Sequence, residues 1–353
     1  MQKVLIINYQ GIGNTILMMP FFMALKNSQL FQQIDMSIKN NYLYQLTNNE
    51  SIFDNYIVYK THGNYGKIQS FLAKLNLIIQ IRKTHYDLII NMDQAHNFSS
   101  MFFMRLIKGN NKIGINVRNN FLNTYDNCIV YECRTQSEKS LYTDIARKVD
   151  IEIPHSSLPI FLSNIKKEKS HFKEVFNEGI SHIVIHPGCG HALAFKKWPA
   201  NSFSELIKKI LFDGHYLTIL GGPEEFELSK KILHNIDSEK CINLVGKTSI
   251  RETIDVFANA NLLVTNDSGL MHLGASMGIP VVAIFGPTSS IKNYPLGTLT
   301  SIISSQNIEL CDKRDNQICE KCKSHWDTDG TPPLCLQSIS VKRVLDEVNK
   351  ILN

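Results

Sequence analysis

The sequence predicts an α/β fold with two Rossmann-like sheets, and three observations lead to that prediction. Short apolar strands alternate with helical patterns along both halves of the chain, which favours parallel sheets. The 353 residues suit two domains rather than one core. A polar stretch near residues 150–180, which contains Pro154 and Pro159, separates the two series of elements.

The first half opens on the strand KVLIIN, a turn at YQGIGN and a helix that begins near Thr15. The apolar run of this strand is only about four residues long, against the seven or more of a signal peptide, so we interpret it as the first strand of the fold. A helical pattern covers residues 68–83. Further strands are predicted at 34–38, 53–59, 86–92 and 111–115.

The second half repeats this order of elements. Its predicted helices begin near Ser202, Glu224, 250 and Leu270, and an amphipathic helix, SVKRVLDEVNKIL, ends the chain. Its predicted strands are HIVIHPG, YLTILGG, CINLVG, LLVTNDSG and PVVAIFG.

Composition narrows the class of protein. The net charge of +5 is modest and the basic residues are scattered, which argues against a nucleic-acid groove but is compatible with weak attraction to an acidic membrane surface or a phosphorylated substrate. The sequence contains no run of about 18 apolar residues, so no transmembrane helix is predicted. The eight cysteines, without an export signal, favour reduced thiols or a metal site over a disulfide framework.

The segment LVTNDSGLMHLG, residues 263–274, predicts a ligand site. An apolar strand gives way to Asn-Asp-Ser-Gly, and Leu270, Leu273 and Met277 then recur at helical spacing. In open α/β sheets, ligands bind at the carboxyl ends of the strands, and the N–H groups of a new helix attract anions. The segment therefore predicts a phosphate site.

Two other glycine turns carry candidate residues. Gly11 and Gly13 suggest a dinucleotide fingerprint, but Ile16 stands where the third glycine belongs, so a nicotinamide cofactor is not predicted. The alternatives left are a turn that approaches a ligand closely and a turn without a ligand. In HPGCGHALAFKKWP, Lys196 is a mobile positive charge suited to a diphosphate, whereas His186 reads equally well as a structural histidine.

The turn LGGPEE places Glu224 and Glu225 at a helix start. Either carboxylate complements the helix dipole or accepts ribose hydroxyls at the edge of the sheet. The residues alone do not decide between these two roles.

The order of GIGNTILMMP, HPG…KKWP, LGGPEE, LVGKTSIRE and NDSGLMHLGASMGIPVVAIFGPT resembles the heptosyltransferases of glycosyltransferase family 9 over nearly the whole chain. The resemblance implies the GT-B architecture, with two Rossmann-like domains facing across a cleft. It also implies inverting, metal-independent transfer of a sugar from a nucleotide donor, typically ADP-heptose, to a lipopolysaccharide acceptor.

The resemblance assigns the candidate site residues by position. Lys196 would balance the leaving nucleoside diphosphate, Glu225 would contact the ribose, and the turn from Gly11 to Thr15 would reach the acceptor. The residues expected to bind the donor are Gly188, Lys196, Glu225, Asp267, Ser268, Gly269 and His272, and those expected to bind the acceptor are Gly11, Gly13, Asn14 and Thr15.

One position departs from the family. Where the family commonly has an aspartate after the second glycine, this chain has Asn14, and an amide cannot act as a general base. Asp93 and His96, at the end of a first-half strand, are the alternative catalytic candidates, and either is otherwise an ordinary loop residue. Asn14 retains the ability to orient an acceptor hydroxyl.

Four cysteines near the end of the chain form a second candidate site. The CEKC spacing of Cys319 and Cys322 is typical of a tetrahedral metal site, whereas the spacings to Cys311 and Cys335 fit no common zinc ribbon. A structural zinc or iron ion and free or disulfide-capable thiols are the two interpretations.

Together these observations predict a cytoplasmic glycosyltransferase that contacts the inner membrane peripherally. We expect an acceptor domain at 1–160, a donor domain at 161–335, and a terminal helix at 336–353 that packs back on the first domain. The expected partners are a nucleotide sugar and a glycolipid, with no nucleic acid and no cofactor for the chemistry. The alternatives are another nucleotide-sugar donor, a protein acceptor, or an inactive donor-binding protein.

Overall fold

The structure is a computed structural model of the 353-residue chain. It describes residues 2–39, 41–48, 51–59, 67–93, 98–115, 120, 123–130, 136–154, 180–190, 195–297, 299–305 and 331–353. Two compact units are formed, the first by residues 1–132 and 138–157 and the second by residues 133–137 and 158–353.

The first unit contains a parallel sheet of six strands among the described residues, in the order β3-β2-β1-β4-β5-β6. Its strands are β1 (Gln2–Asn8), β2 (Phe31–Ile38), β3 (Asn55–Val58), β4 (Tyr86–Asn91), β5 (Gly109–Ile115) and β6 (Asn127–Ile129). Its helices are α1 (Ile12–Asn27), α2 (Asn41–Thr47), α3 (Lys67–Ile81), α4 (Phe98–Leu106) and α5 (Glu138–Lys148).

The second unit has a six-stranded parallel sheet over the same described ranges, in the order β12-β11-β10-β7-β8-β9. Its strands are β7 (His182–His186), β8 (Tyr216–Ile219), β9 (Cys241–Asn243), β10 (Leu262–Asn266), β11 (Val281–Phe285) and β12 (Thr300–Ser304). Its helices are α6 (Ala200–Phe212), α7 (Phe226–Leu233), α8 (Ile250–Ala258), α9 (Gly269–Ser276), α10 (Leu334–Gln337) and α11 (Val341–Leu352), with a 3₁₀ turn at Pro223–Glu225.

Both sheets follow the Rossmann strand order, which fixes where a ligand site belongs. Counted within its own unit, each sheet runs 3-2-1-4-5-6, so the order reverses between the first and fourth strands. These are β1 and β4 in one unit and β7 and β10 in the other. The carboxyl ends of these strand pairs are the topological switch points at which open α/β sheets bind ligands.

The four central strands of the second sheet, β7, β8, β10 and β11, are buried over nearly all of their residues because helices cover both faces. Trp198 is part of this core, packs edge-on against Phe203 with ring centroids 5.0 Å apart, and donates its indole N–H to the Ile339 carbonyl at 3.0 Å. That bond ties the start of α6 to the segment before α11.

The C-terminal helix contributes to the core of the second unit. Val344 and Val348 of α11 are buried in the core of the second unit, and α11 contacts α6 and β10. The apolar face of the helix therefore continues the core that Trp198 begins. Among the described residues, no helix has both the length and the apolar character needed to cross a bilayer.

Candidate functional site

The turn after β10 lies at the switch point of the second sheet. Ser268 caps α9, and its hydroxyl accepts a hydrogen bond from the Met271 N–H at 3.2 Å. The N–H groups of Gly269 and Leu270 begin the helix and have no carbonyl partner within it. The strand-turn-helix predicted for this segment is thus the observed structure, and it presents peptide donors at a helix N-terminus.

A buried ion pair stands beside this helix start. Lys196 Nζ lies 2.8 Å from Asp267 Oδ2, and the Asn293 amide also donates to that oxygen at 3.0 Å. Burial would raise the pKa of Asp267, but the charge and hydrogen bond of Lys196 outweigh it and lower the pKa. The carboxylate is therefore ionised, and its principal contact is the lysine that it holds in place.

His272 lies one turn further along α9 and is also buried. Burial lowers its pKa to about 4, although the negative charge of Asp267 acts in the opposite direction. Its Nδ1 atom has no hydrogen-bond partner among the residues that the structure describes. A neutral imidazole with an unpaired buried nitrogen is costly in a folded protein and is readily explained by a ligand that completes the site.

Glu225 lies in the 3₁₀ turn after β8 and is connected through His186 to Ser268 at the start of α9. Its carboxylate accepts hydrogen bonds from His186 Nε2 at 3.2 Å, from the Gly190 N–H at 3.2 Å and from the Gly222 N–H at 3.0 Å. Burial would raise the pKa of Glu225, but these three donors lower it to about 2. The carboxylate is ionised at neutral pH, and two of its donors are fixed peptide groups.

The ionised carboxylate sets the tautomer of His186. Nε2 must carry the proton that it donates to Glu225, which leaves Nδ1 as an acceptor in the neutral ring. Nδ1 lies 3.0 Å from the Ser268 hydroxyl, which accepts from the Met271 N–H with a lone pair and can donate its own proton to Nδ1. His186, for which the sequence left a structural role open, thereby links the carboxylate to the α9 cap.

The carboxylate of Glu225 lies so close to residue 188 that only a glycine fits there. A Cβ atom at residue 188 would overlap the carboxyl group of Glu225, which occupies the space that a side chain would need. Gly190 has a φ of +82°, a conformation that side chains disfavour, and this directs its N–H toward Glu225. The two glycines of the HPGCG segment therefore shape the turn around Glu225.

Asn266, the last residue of β10, was not among the sequence-based candidates. Its amide donates to the Pro187 carbonyl at 2.7 Å, and its oxygen accepts from the Trp198 N–H at 3.0 Å. One buried side chain thus connects the loop after β7 with the segment that carries Lys196. The Asn-Asp pair after an apolar strand was the available sequence signal, but it gave no indication of partners 68 and 79 residues away.

The switch point of the first sheet has its own polar network. Asn8 ends β1 and donates to the Thr15 hydroxyl at 2.9 Å. Gln10 donates to the Met92 carbonyl and accepts from the Asn14 amide, so Asn14 is connected through Gln10 to the end of β4. Helix α1 begins at Ile12, which places Gly13 and Asn14 in its first turn.

Asp93 follows β4 at the same edge of this sheet. Its N–H donates to the Asn91 side chain at 3.1 Å, and its negative charge contributes to raised pKa values of Tyr9 and Tyr125, for which burial is the main cause. Asn14 and Asp93 therefore share one switch point. His96, the other catalytic candidate, lies outside the described residues.

The cysteine prediction is only partly within the described residues. Cys335 is buried in α10, and Cys311, Cys319 and Cys322 lie outside the described ranges. Within those ranges there is no group of three or more His, Cys, Asp or Glu side chains arranged to hold a metal.

The second unit combines the groups that an anionic, hydroxyl-rich ligand requires. A lysine and helix N–H donors suit phosphate, whereas Glu225 offers a charged acceptor and His272 an unpaired nitrogen. Asp267 is held between Lys196 and Asn293, and its charge would repel a phosphate in direct contact. Asp267 therefore holds Lys196 in place and is unsuited to direct contact with a phosphate.

Comparison with known proteins agrees with this description. Residues 74–323, more than half of the chain, match the sequence model of Glycosyltransferase family 9 (heptosyltransferase). Lipooligosaccharide heptosyltransferase 2 of Haemophilus influenzae is 30% identical over 160 residues, which cover 44% of this chain and 43% of that protein. The aligned region thus spans less than half of that relative.

Solved structures show the same fold over the whole chain. A glycosyl transferase family 9 protein of Veillonella parvula superposes with a TM-score of 0.76 at 20% identity, covering 99% of this chain and 97% of its own. The heptosyltransferase WaaC of E. coli with ADP superposes with a TM-score of 0.71 at 16% identity, covering 99% of each chain. The two parallel sheets are therefore those of the GT-B fold that the sequence led us to expect.

Proposed function

The chain belongs to glycosyltransferase family 9 (heptosyltransferase), and we propose that it transfers a heptose from ADP-heptose to a lipopolysaccharide or other surface-glycan acceptor, with inversion. One observation carries the proposal. The start of α9 has a capped helix N-terminus, a buried Lys196–Asp267 pair and an unpaired buried nitrogen of His272 together at the switch point of one sheet.

The identity of the donor rests on the relatives and on the chemistry of this site. The solved WaaC structure holds ADP, and the relative from H. influenzae is a heptosyltransferase. In this chain, the α9 N–H groups would bind the diphosphate, and Glu225 would accept hydrogen bonds from ribose hydroxyls. Among the described residues, Oε1 of Glu225 accepts one hydrogen bond, from the Gly190 N–H, which leaves capacity for a ligand hydroxyl.

The proposed reaction places negative charge on the leaving diphosphate. Lys196 and the N-terminus of α9 would stabilise that charge as the glycosidic bond to the diphosphate breaks. His272, neutral at pH 7, would donate or accept a hydrogen bond without adding charge. These groups are preorganised in the second unit by Asp267, Asn266 and Ser268.

We propose Asp93 as the base that removes the proton from the acceptor hydroxyl. Asn14 cannot accept this proton, but it shares the switch point with Asp93 and is connected to the adjacent Met92 carbonyl through Gln10. In this proposal Asn14 orients the acceptor hydroxyl, together with the turn of Gly11, Gly13 and Thr15, while Asp93 takes the proton.

A non-catalytic donor-binding protein is the second candidate function, and Asn14 is the observation that favours it. If Asn14 replaced an essential base, then Asn14→Asp would create transfer activity where the natural chain has none. Our proposal predicts instead that the natural chain is active and that Asn14→Asp gives no gain.

We further propose that the enzyme acts in the cytoplasm with peripheral contact to the inner membrane, because a glycolipid acceptor would be anchored there.

We also propose that Cys311, Cys319, Cys322 and Cys335 bind a structural zinc or iron ion, which the CEKC spacing supports. Elemental analysis of the purified chain tests it. One metal ion per chain, lost in Cys319→Ser/Cys322→Ser, is expected, and metal-free protein would contradict it.

The direct test of the proposed function is product formation. Purified chain is incubated with ADP-heptose and a core acceptor that lacks heptose, and the acceptor is examined by mass spectrometry. A mass increase of one heptose, absent with Lys196→Ala, is expected. Transfer of another sugar with a different nucleotide would retain the fold and site but discard the heptose assignment.

A further inference from the structure

Helix α3 has two apolar faces, and only one of them is used by the first unit. Leu77, Ile78 and Ile81 are buried against the sheet of that unit. A second row, which we call the α3 stripe, points to solvent; it consists of Ile68, Phe71, Leu72, Leu75 and Ile79. Ile68 is 78% exposed and Phe71 is 63% exposed, so the stripe is a surface and not the margin of the core.

The spacing of the α3 stripe makes it a continuous face. Each member has another member three or four residues away, and Phe71 and Leu72 are adjacent, so all five lie along one side of the helix. The neighbouring helix α4, which contacts α3, adds exposed Phe102 and Leu106. Contiguous exposed apolar patches of this kind mark interaction sites, whereas isolated exposed apolar residues need no explanation.

Charge distinguishes between the partners that this face fits. Between Asp54 and Asp126 the sequence contains nine Lys and Arg residues and two Asp, a net charge of +7. The whole chain carries +5, so the remaining residues carry −2. The positive charge of the protein is therefore concentrated in the part of the sequence that contains α3 and α4. Exposed Arg82 and Lys83 directly follow the α3 stripe.

We propose that the α3 stripe docks the chain on the surface of an anionic bilayer. An apolar helical face with flanking basic residues is the combination that places a helix at the boundary between headgroups and acyl chains. The basic residues would add attraction to anionic headgroups. A second copy of this chain is disfavoured as the partner because two faces from this basic region repel each other.

The choice of a membrane over an acidic protein rests on the proposed function, in which the acceptor is lipid-anchored. A stripe of aliphatic and phenyl groups provides no pattern of hydrogen-bonding groups with which to select one protein partner. Docking through α3 would bring the first unit, which carries Asp93 and Asn14, to the surface that holds the acceptor.

The test is sedimentation with vesicles of 30% phosphatidylglycerol and 70% phosphatidylethanolamine, with phosphatidylcholine vesicles as the neutral comparison. The natural chain should bind the anionic vesicles. Phe71→Ser/Leu72→Ser should lower its partition coefficient by at least about tenfold, because two large apolar groups leave the interface. Ile68→Ser/Ile79→Ser changes a second pair on the same stripe and should lower the partition coefficient in the same way. It keeps the test possible if the first variant does not fold.

Phe212→Ser is the matched control. Phe212 is 91% exposed on α6 of the second unit, where Glu205 and Asp213 balance the charges of Lys208 and Lys209, and its loss should leave vesicle binding unchanged. Arg82→Gln/Lys83→Gln should weaken binding to anionic vesicles several-fold.

Three results would overturn the inference. They are equal sedimentation with and without anionic vesicles, binding that survives both stripe variants, and light scattering that shows a dimer abolished by those variants. ADP affinity and transfer to a water-soluble acceptor fragment are measured on the same proteins. Loss of vesicle binding with transfer intact separates this surface from the proposed reaction, and absence of transfer with vesicle binding intact discards the reaction alone.

Discussion

At the scale of single residues, the site depends on buried charges that are paired inside the protein. Lys196 and Asp267 are a buried pair whose separate removal leaves an uncompensated charge. Glu225 is ionised through hydrogen bonds to one imidazole and two peptide N–H groups. We therefore expect these residues to affect stability as well as ligand binding, and experiments must separate the two effects.

The Lys196–Asp267 pair allows that separation. Lys196→Met should destabilise the chain by about 3 kcal/mol because Asp267 stays buried and charged, and Lys196→Met/Asp267→Asn should recover most of this loss. Both proteins should bind ADP at least tenfold more weakly, since the lysine is absent from each. Urea unfolding and calorimetric titration measure the two quantities.

The matched control for this cycle is an exposed pair. Lys342 lies 2.7 Å from Asp346 on α11, and Lys342→Met should change the free energy of unfolding by less than about 0.5 kcal/mol. Normal ADP affinity in Lys196→Met would contradict the assigned role of the lysine.

Glu225 predicts a dependence of stability on pH. Its pKa in the folded chain is about 2, below the ordinary 4.5, so its ionisation stabilises the fold above pH 4.5 and this contribution is lost as pH falls toward 2. The loss between pH 5 and pH 3 should be about 2 kcal/mol. Urea unfolding of the natural chain and of Glu225→Gln at both pH values should show that the natural chain loses about 2 kcal/mol more than the variant. Parallel pH curves for the two proteins would refute the assignment.

At the scale of elements, Asn266 connects the segments that form the site. Asn266→Ala would leave the Trp198 N–H and the Pro187 carbonyl unpaired and buried, which should cost about 2–3 kcal/mol. ADP affinity should also fall, because Lys196 is two residues from Trp198 and depends on the same segment. Urea unfolding and titration with ADP on one preparation test both expectations.

Asn261→Ala is the matched control for that experiment. Asn261 precedes the opposite end of β10, where it accepts a hydrogen bond from the His182 N–H at 2.8 Å. It should destabilise the fold without changing ADP affinity. Equal effects of the two variants on ADP binding would mean that Asn266 acts only through general stability.

The sequence predicted the central elements well for a physical reason. Strands β7, β8, β10 and β11 are covered on both faces and therefore appear as continuous apolar runs. The three-residue edge strand β6 and the half-buried strand β12 lack that pattern and were not predicted. Helix α1 begins at Ile12, three residues before the predicted start at Thr15. Gly11 is its N-cap residue and has an extended backbone, so the turn ends there and not after Gly13.

The site was predictable to a lesser extent. Lys196, Glu225, Asp267 and His272 are found around one switch point, as their places after strands indicated. The contact of Asn266 with Trp198 and the orientation of His186 were not predictable, because they depend on which loops the sheet brings together. The packing of α11 on the second core was likewise a tertiary property that its amphipathic pattern did not contain.

At the scale of the whole molecule, we expect the two units to contribute separable functions. Asp93→Asn should lower kcat by about 10²–10⁴-fold if Asp93 is the general base, while the dissociation constant for ADP stays within about twofold. Asp87→Asn is its matched control, because Asp87 lies near the opposite end of β4 and accepts from the Lys3 N–H at 2.8 Å. Full activity of Asp93→Asn would show that Asp93 is not the general base, and His96 would then be the candidate to test.

The measurement that tests the donor site most directly is calorimetric titration of the purified chain with ADP, GDP, UDP and CDP. We expect ADP to bind selectively, and we expect Asp267→Ala, which releases Lys196 from its position, to weaken that binding at least tenfold while Asn261→Ala preserves it. Failure of all four nucleotides to bind the natural chain would contradict the account, as would ADP binding that is unchanged in Asp267→Ala.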